Sequence, residues 1–183
     1  GDVYKRQYAQ IAEKFGEVLH KNGYPIAAEA LYGITKQAFH DSLACGKLVP
    51  ACNGIRDVFR QLKAKGLQLA VVTSDDALVT QTCLQRLGIA MYFDYCYPDD
   101  GEHPTKPAPY YAERFCRDTG LKKGEVMMVG DTLTDMEFAK NAGMFAIGVA
   151  KNKRDREVLQ QMCDTVLYDI SQIFTVLPER AEP

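Results

Sequence analysis

From Leu67 onward, short runs of almost unbroken apolar residues alternate with amphipathic helical stretches. This alternation limits the possible folds more than any other feature of the chain. The runs LQLAVVT (67–73), VMMVG (126–130) and MFAIGV (144–149) carry no polar residue at every second position beyond Gln68. A strand with one wet face alternates apolar and polar side chains, whereas a strand covered on both faces does not. Between the runs lie helical patterns: Ile55, Val58, Phe59 and Leu62 ending at Gly66, then residues 76–87 with Leu84 and Leu87 inward and Gly88 as the stop. A third stripe is Ala108, Tyr111, Ala112, Phe115 and Cys116, with Pro107 read as the first helical residue. YFDYCYP (92–98) reads as a short aromatic strand, and helix 135–142, helix 153–162, strand 165–168 and a terminal helix complete the order. The expected fold is α/β, a doubly wound parallel sheet with helices on both faces.

The first quarter of the chain has a different pattern. From Tyr8 to about Cys45 it reads as two helices, with Ile11, Phe15, Val18 and Leu19 on one face of the first. NGYP (22–25) closes that helix, and Leu31, Ile34, Ala38 and Phe39 set the face of the second. GKLVPACNG (46–54) is the linker. Residues 1–7, GDVYKRQ, resemble a translated adapter scar and are set aside as a non-native tail, leaving a helical segment 8–49 and an α/β segment 50–183.

Totals exclude several function classes. A net charge of −2 gives no sign bias toward nucleic acid or an anionic membrane. No apolar run approaches the ~20 residues needed to span a bilayer. The six cysteines include no C-x-x-C pair, which argues against a zinc site or a disulfide framework and for reduced thiols in a cytoplasm.

In an open parallel sheet, ligands bind beyond the carboxyl ends of the strands. Three such turns carry polar groups here: Thr73 with Ser74, Lys106, and Asp131 with Asp135. Asp131 directly follows strand 126–130. Asp135 shares a helical stripe with Phe138, Ala139 and Ala142, so it faces inward. Two carboxylates converging there repel each other unless a cation intervenes, and oxygen ligands with room for water suit Mg²⁺. The competing reading is local: TDME (134–137) is a capping box, and the dipole favours an acid in a first helical turn. Lys106 precedes a helix start, where a cation is disfavoured; it is either a working residue or a solvated loop lysine. Thr73 and Ser74 either cap the next helix, as Ser74 or Asp75 could, or hold an anion at its N-terminus. His20, His40 and His103 are unclustered surface or packing residues, and Asp99 and Asp100 serve a turn.

A hydroxyl, a lysine and an acid pair, in that order and each at a strand end or helix start, form a phosphate-plus-magnesium constellation. LAVVTSDD, TKPAPYYAERF and VMMVGDTLTDMEFAKNAG resemble the second, third and fourth motifs of the haloacid dehalogenase superfamily, and VPACNGIRDVFRQLKAKG is similar to its core re-entry segment. The resemblance runs from about Leu48 to the end and is nearest to phosphoglycolate phosphatase-like members. It implies a Mg²⁺-dependent phosphate monoester hydrolase working through a phospho-aspartate on a small phosphorylated metabolite, as a monomer or homodimer. Thr73 and Ser74 would contact the phosphoryl group, Lys106 would neutralise charge, Asp131 would ligate Mg²⁺, and Asp135 would position it. Residues 8–49 would be a helical cap, whole or partial. The family's first motif, D-x-D-x-T, occurs nowhere in the 183 residues. The resemblance therefore also implies that the central first strand, with its nucleophile, lies upstream and that the fragment alone is inactive. A phosphomutase and a non-catalytic binding protein of the same fold are the alternatives.

Overall fold

The computed structural model describes residues 4–178, with side-chain surroundings from Ala12 onward except at positions 36 and 44. The chain divides into two compact units. One comprises the segment ending at Val49 with Thr73–Ala90 and Pro98–His103; the other comprises Pro50–Val72, Met91–Tyr97 and the segment from Pro104 onward.

The first unit is built on helices α1 (Tyr4–Lys21), α2 (Ala28–Cys45) and α4 (Ala77–Leu87). Positions 4–7, set aside on sequence grounds, are helical in backbone. The expected faces of α1 and α2 need correction. Leu31 is buried as expected and Ala12 is buried too, whereas Phe15, Val18 and Ile34 are exposed; Ile11 lies outside the described side chains. Small residues decide the contact, since a Cβ on Gly16 would stand 3.3 Å from Leu31 Cδ1. The last turn of α2 is satisfied by Arg86 of α4, which donates to the carbonyls of Leu43 and Gly46.

The second unit holds α3 (Ile55–Ala64), α5 (Tyr110–Thr119), β3 (Met127–Gly130), α6 (Leu133–Ala142), β4 (Phe145–Val149), α7 (Lys153–Leu159) and β5 (Thr165–Leu167). β3, β4 and β5 form a parallel sheet, in register from Met127 opposite Phe145 to Gly130 opposite Gly148, and from Ile147 opposite Thr165. α6 and α7 make the crossovers, and α6 buries Met136, Phe138, Ala139 and Ala142. Apolar burial of this kind contributes about 25 cal/mol per Å² and dominates the stability of such a layer.

β1 (Ala70–Asp76) pairs with β2 (Tyr95–Asp99) in a separate two-stranded sheet. Between β1 and β3 lies an apolar cavity of about 510 Å³, lined within the second unit by residues of both strands. The α/β expectation holds, with parallel strands flanked by helices.

Several boundaries differ from expectation. β1 begins at Ala70 rather than Leu67 because residues 67–69 are tied down: Asp94 accepts the Leu69 N–H at 2.8 Å and binds Lys63 Nζ at 2.6 Å, while Lys63 reaches the Leu67 carbonyl. α5 begins at Tyr110, not Pro107. Ala108 precedes Pro109, and the proline ring drives the residue before it out of the α region. The expected terminal helix is a 3-10 helix, Ile170–Thr175, opened by Asp169 accepting the Ser171 N–H.

Candidate active site

The carboxyl end of β3 carries the acid pair. Asp131 follows Gly130 and is exposed, whereas Asp135, in the first turn of α6, is 4% exposed. The local sequence requires this inward placement. Thr132 is the N-cap: its hydroxyl oxygen accepts the Asp135 N–H at 3.2 Å and its own O–H donates to Asp135 Oδ2 at 2.7 Å. Its backbone N–H donates to the same Oδ2 at 3.1 Å. The capping box is therefore Thr132 with Asp135, two residues before the expected TDME box, because α6 starts at Leu133. Gly130 leaves the carboxylate its room, since a Cβ there would collide with the Asp135 side chain.

Lys106 completes this cluster. Its Nζ lies 2.6 Å from Asp135 Oδ1, and the side chains are only 12% and 5% exposed. The solvated-lysine reading is thereby corrected, and so is the helix-terminus argument. Lys106 lies in a turn four residues before α5. Asn141 of α6 donates to the Pro107 carbonyl at 2.9 Å and fastens that turn beside the acid. Among the described residues no group of three or more His, Cys, Asp and Glu forms a ready-made metal cage. The donor set fits a cation that takes one or two carboxylates and keeps its waters, as Mg²⁺ does. Asp131 is open for direct contact. Asp135 has both oxygens engaged by protein donors and can add only indirect support.

Thr73 and Ser74 belong to the other unit. The Thr73 hydroxyl donates to Asp75 Oδ2 at 3.2 Å and accepts the Asp75 N–H at 3.1 Å; Ser74 is exposed. The cap of α4 is neither Ser74 nor Asp75 but Asp76, which accepts the Val79 N–H at 2.8 Å, because β1 extends to residue 76. Asp100 accepts the Glu102 and His103 N–H groups and pairs with the His103 ring, as turn formation requires.

Some of the cysteines are poorly suited to act as nucleophiles. All six are free thiols. Burial pushes those of Cys52 and Cys83 up, with nearby carboxylates adding to the effect, which is opposite to the activation a thiolate needs. Cys45 and Cys96 are exposed.

The sequence reading missed Thr132, Asn141 and Gly130 as supports of the cluster. The T-x-x-D spacing of Thr132 and Asp135 signalled the first; nothing in the sequence alone signalled the Asn141 bond, which joins positions 34 apart.

The phosphoglycolate phosphatase of Neisseria meningitidis is 32% identical over 100 residues, 55% of this chain and 43% of that protein. The chain spans about half the length of the curated relatives it matches first. A crystal structure of a predicted phosphoglycolate phosphatase from Haemophilus somnus superposes with a TM-score of 0.77 at 20% identity, covering 90% of this chain and 75% of that one. That of YfnB from Bacillus subtilis, bound to magnesium, gives 0.72 at 16% identity, covering 97% and 83%. At such identities the likeness establishes the fold alone. No helix among the described residues is long and apolar enough to cross a membrane. The model of the haloacid dehalogenase-like hydrolases matches residues 3–149, taking in the lysine turn, the acid pair and the strand that carries it, and the chain belongs to that family.

Proposed function

We propose that this chain supplies part of a Mg²⁺-dependent phosphate monoester hydrolase that acts on a small phosphorylated metabolite through an aspartyl-phosphate. The observation that carries the reading is the buried Lys106–Asp135 pair beside exposed Asp131 at the carboxyl end of β3. A buried ion pair is a poor device for stability. Its position at the sheet end, where ligands of such folds bind, gives it a use.

Phosphoryl transfer needs positioning and charge stabilisation more than elaborate covalent chemistry. Magnesium, when bound, supplies positive charge against the phosphoryl oxygens. Asp131 holds that ion directly, and Asp135 orients its surroundings while keeping Lys106 extended. Lys106 offers its remaining N–H donors to the nucleophile and a phosphoryl oxygen. Thr73 and Ser74 are assigned phosphoryl contacts from the family resemblance, and the helical segment ending near Val49 is assigned the cap role. The family resemblance assigns the nucleophile to an aspartate of a D-x-D-x-T motif, which does not occur in residues 1–183. The relatives' phosphoglycolate makes a small phosphorylated acid the first substrate to try.

The test is inorganic phosphate release from phosphoglycolate and an aryl phosphate by the product of the gene with its upstream coding sequence. Release that requires Mg²⁺ and stops with chelator supports the reading. Isomerisation of a sugar phosphate without release identifies a mutase, and no turnover of any phosphate ester contradicts both.

A further inference from the structure

α6 grips the Lys106 turn at two points, and only one of them is the ion pair. The Lys106 ammonium meets Asp135 Oδ1 in the first turn of α6. The Pro107 carbonyl accepts an N–H of the Asn141 side chain, in the last turn, at 2.9 Å. Six residues separate Asp135 from Asn141, about 9 Å along a helix axis. A turn held at Asp135 alone is free to swing about that contact, and a second anchor this far away stops it. The turn is also closed on itself, since the Ala108 N–H donates to the Thr105 carbonyl at 2.9 Å.

We infer that Asn141 is a positioning residue: its amide fixes the backbone from which Lys106 reaches the phosphoryl site, and it acts through Lys106 rather than on substrate. The residue type has no local use. Asparagine is a poor helix former, and alanine would serve better at the next-to-last position of α6. The helix end is closed by Gly143, in the left-handed region, whose N–H reaches the Ala139 and Lys140 carbonyls. Burial does not hold Asn141 in place either, because the residue is exposed. A hydrogen bond open to water adds little to folding. What the bond does supply is geometry. Lysine is long and flexible, and its charge must meet the charge that develops on a phosphoryl group at one place. A misplacement of about 1 Å is enough to slow such a step by ~100-fold. The inference rests on the proposed function for the reaction that Asn141 serves, but its test also reads the clamp without any turnover.

The test uses Asn141→Ala, which removes the amide but improves helix propensity, so the urea midpoint should stay near that of the parent. In the 183-residue chain, acetylation by an N-hydroxysuccinimide ester reports how firmly Lys106 is held. Mass spectrometry reads it against Lys153, whose side chain is 90% exposed. Lys106 should react about 3–10-fold faster in the variant, the factor set by one hydrogen bond of ordinary net strength. In the full-length gene product, kcat for a phosphate ester should fall ~10-fold with KM little changed. Asn141→Gln keeps the amide donor and should restore part of both effects. Thr119→Val removes a bond to the Phe115 carbonyl at the other end of α5 and should move neither. Unchanged Lys106 labelling in Asn141→Ala overturns the inference, because the side chain then acts elsewhere. So does an unchanged kcat, or an equal loss in Thr119→Val, which marks general loosening of α5. A parent that turns over no phosphate ester defeats the proposed function instead, and the labelling still decides whether Asn141 holds Lys106.

Discussion

The Lys106 ammonium stands 2.6 Å from Asp135 Oδ1 with both side chains nearly closed off from water, although 29 positions separate them in the chain. The pair joins the turn before α5 to the first turn of α6. It is also the clearest polar feature at the carboxyl end of β3.

Removing one partner strands the other. Lys106→Met leaves Asp135 as a buried carboxylate supported only by Thr132, and should destabilise the second unit by about 3–5 kcal/mol. Lys106→Met with Asp135→Asn should recover much of that loss, because no uncompensated charge remains. Urea unfolding of the three proteins checks this. Equal midpoints for the single and double variants would contradict it.

Gly130→Ala should also be damaging, for a steric reason. The added methyl collides with the Asp135 side chain, so the carboxylate must leave Lys106 or β3 must shift. Overpacking of this kind costs about 1–3 kcal/mol. The same substitution at Gly124, where an added Cβ meets nothing within 4 Å, should be close to neutral.

Thr132 offers a graded test of the cap. Thr132→Val removes a bond to Asp135 Oδ2 and the acceptor for the Asp135 N–H, and should cost about 0.5–2 kcal/mol. Thr132→Ser keeps both and should cost less. Equal unfolding midpoints for the two variants would remove the cap from the account.

Asp94 should make stability depend on pH in acid. Its bond to Lys63 first, and then the Leu69 N–H, hold its carboxyl below the usual carboxylate value of ~3.9. A depressed folded value means the contribution is complete above the unfolded value and is lost as pH falls through the folded one. Both side chains are about one-third exposed, so solvent screening keeps the effect to about 1 kcal/mol or less. Asp94→Asn should therefore unfold earlier than the parent at pH 7, with the gap closing below about pH 4.

The chain order, the parallel sheet and the inward face of α6 were legible in the sequence because each rests on a local period. Asp135 shares its stripe with Phe138, Ala139 and Ala142, and burial of one enforces burial of the rest. Boundaries set by distant partners were not legible. The start of β1 depends on Asp94, 25 positions from Leu69, and α5 starts late because two prolines one residue apart deny Ala108 a helical backbone. The faces of α1 and α2 misled for another reason: Gly16 stands close to Leu31 and Ala12 is buried, while the larger Phe15 and Val18 are exposed. Lys106 was picked out by a helix-dipole argument that the structure withdraws. Its burial against Asp135 takes that argument's place.

The central claim is that Asp131 works on a metal-bound phosphate while Asp135 and Lys106 hold the site in shape. The most direct measurement is phosphate release by the full-length gene product, parent and Asp131→Asn, across a Mg²⁺ titration with urea unfolding of both in parallel. The account predicts that exposed Asp131 can be changed with little effect on stability, while activity falls at least ~100-fold, equivalent to about 2.7 kcal/mol of transition-state stabilisation, and half-saturation moves to higher Mg²⁺. Unchanged turnover and unchanged Mg²⁺ dependence in a folded Asp131→Asn protein would contradict it.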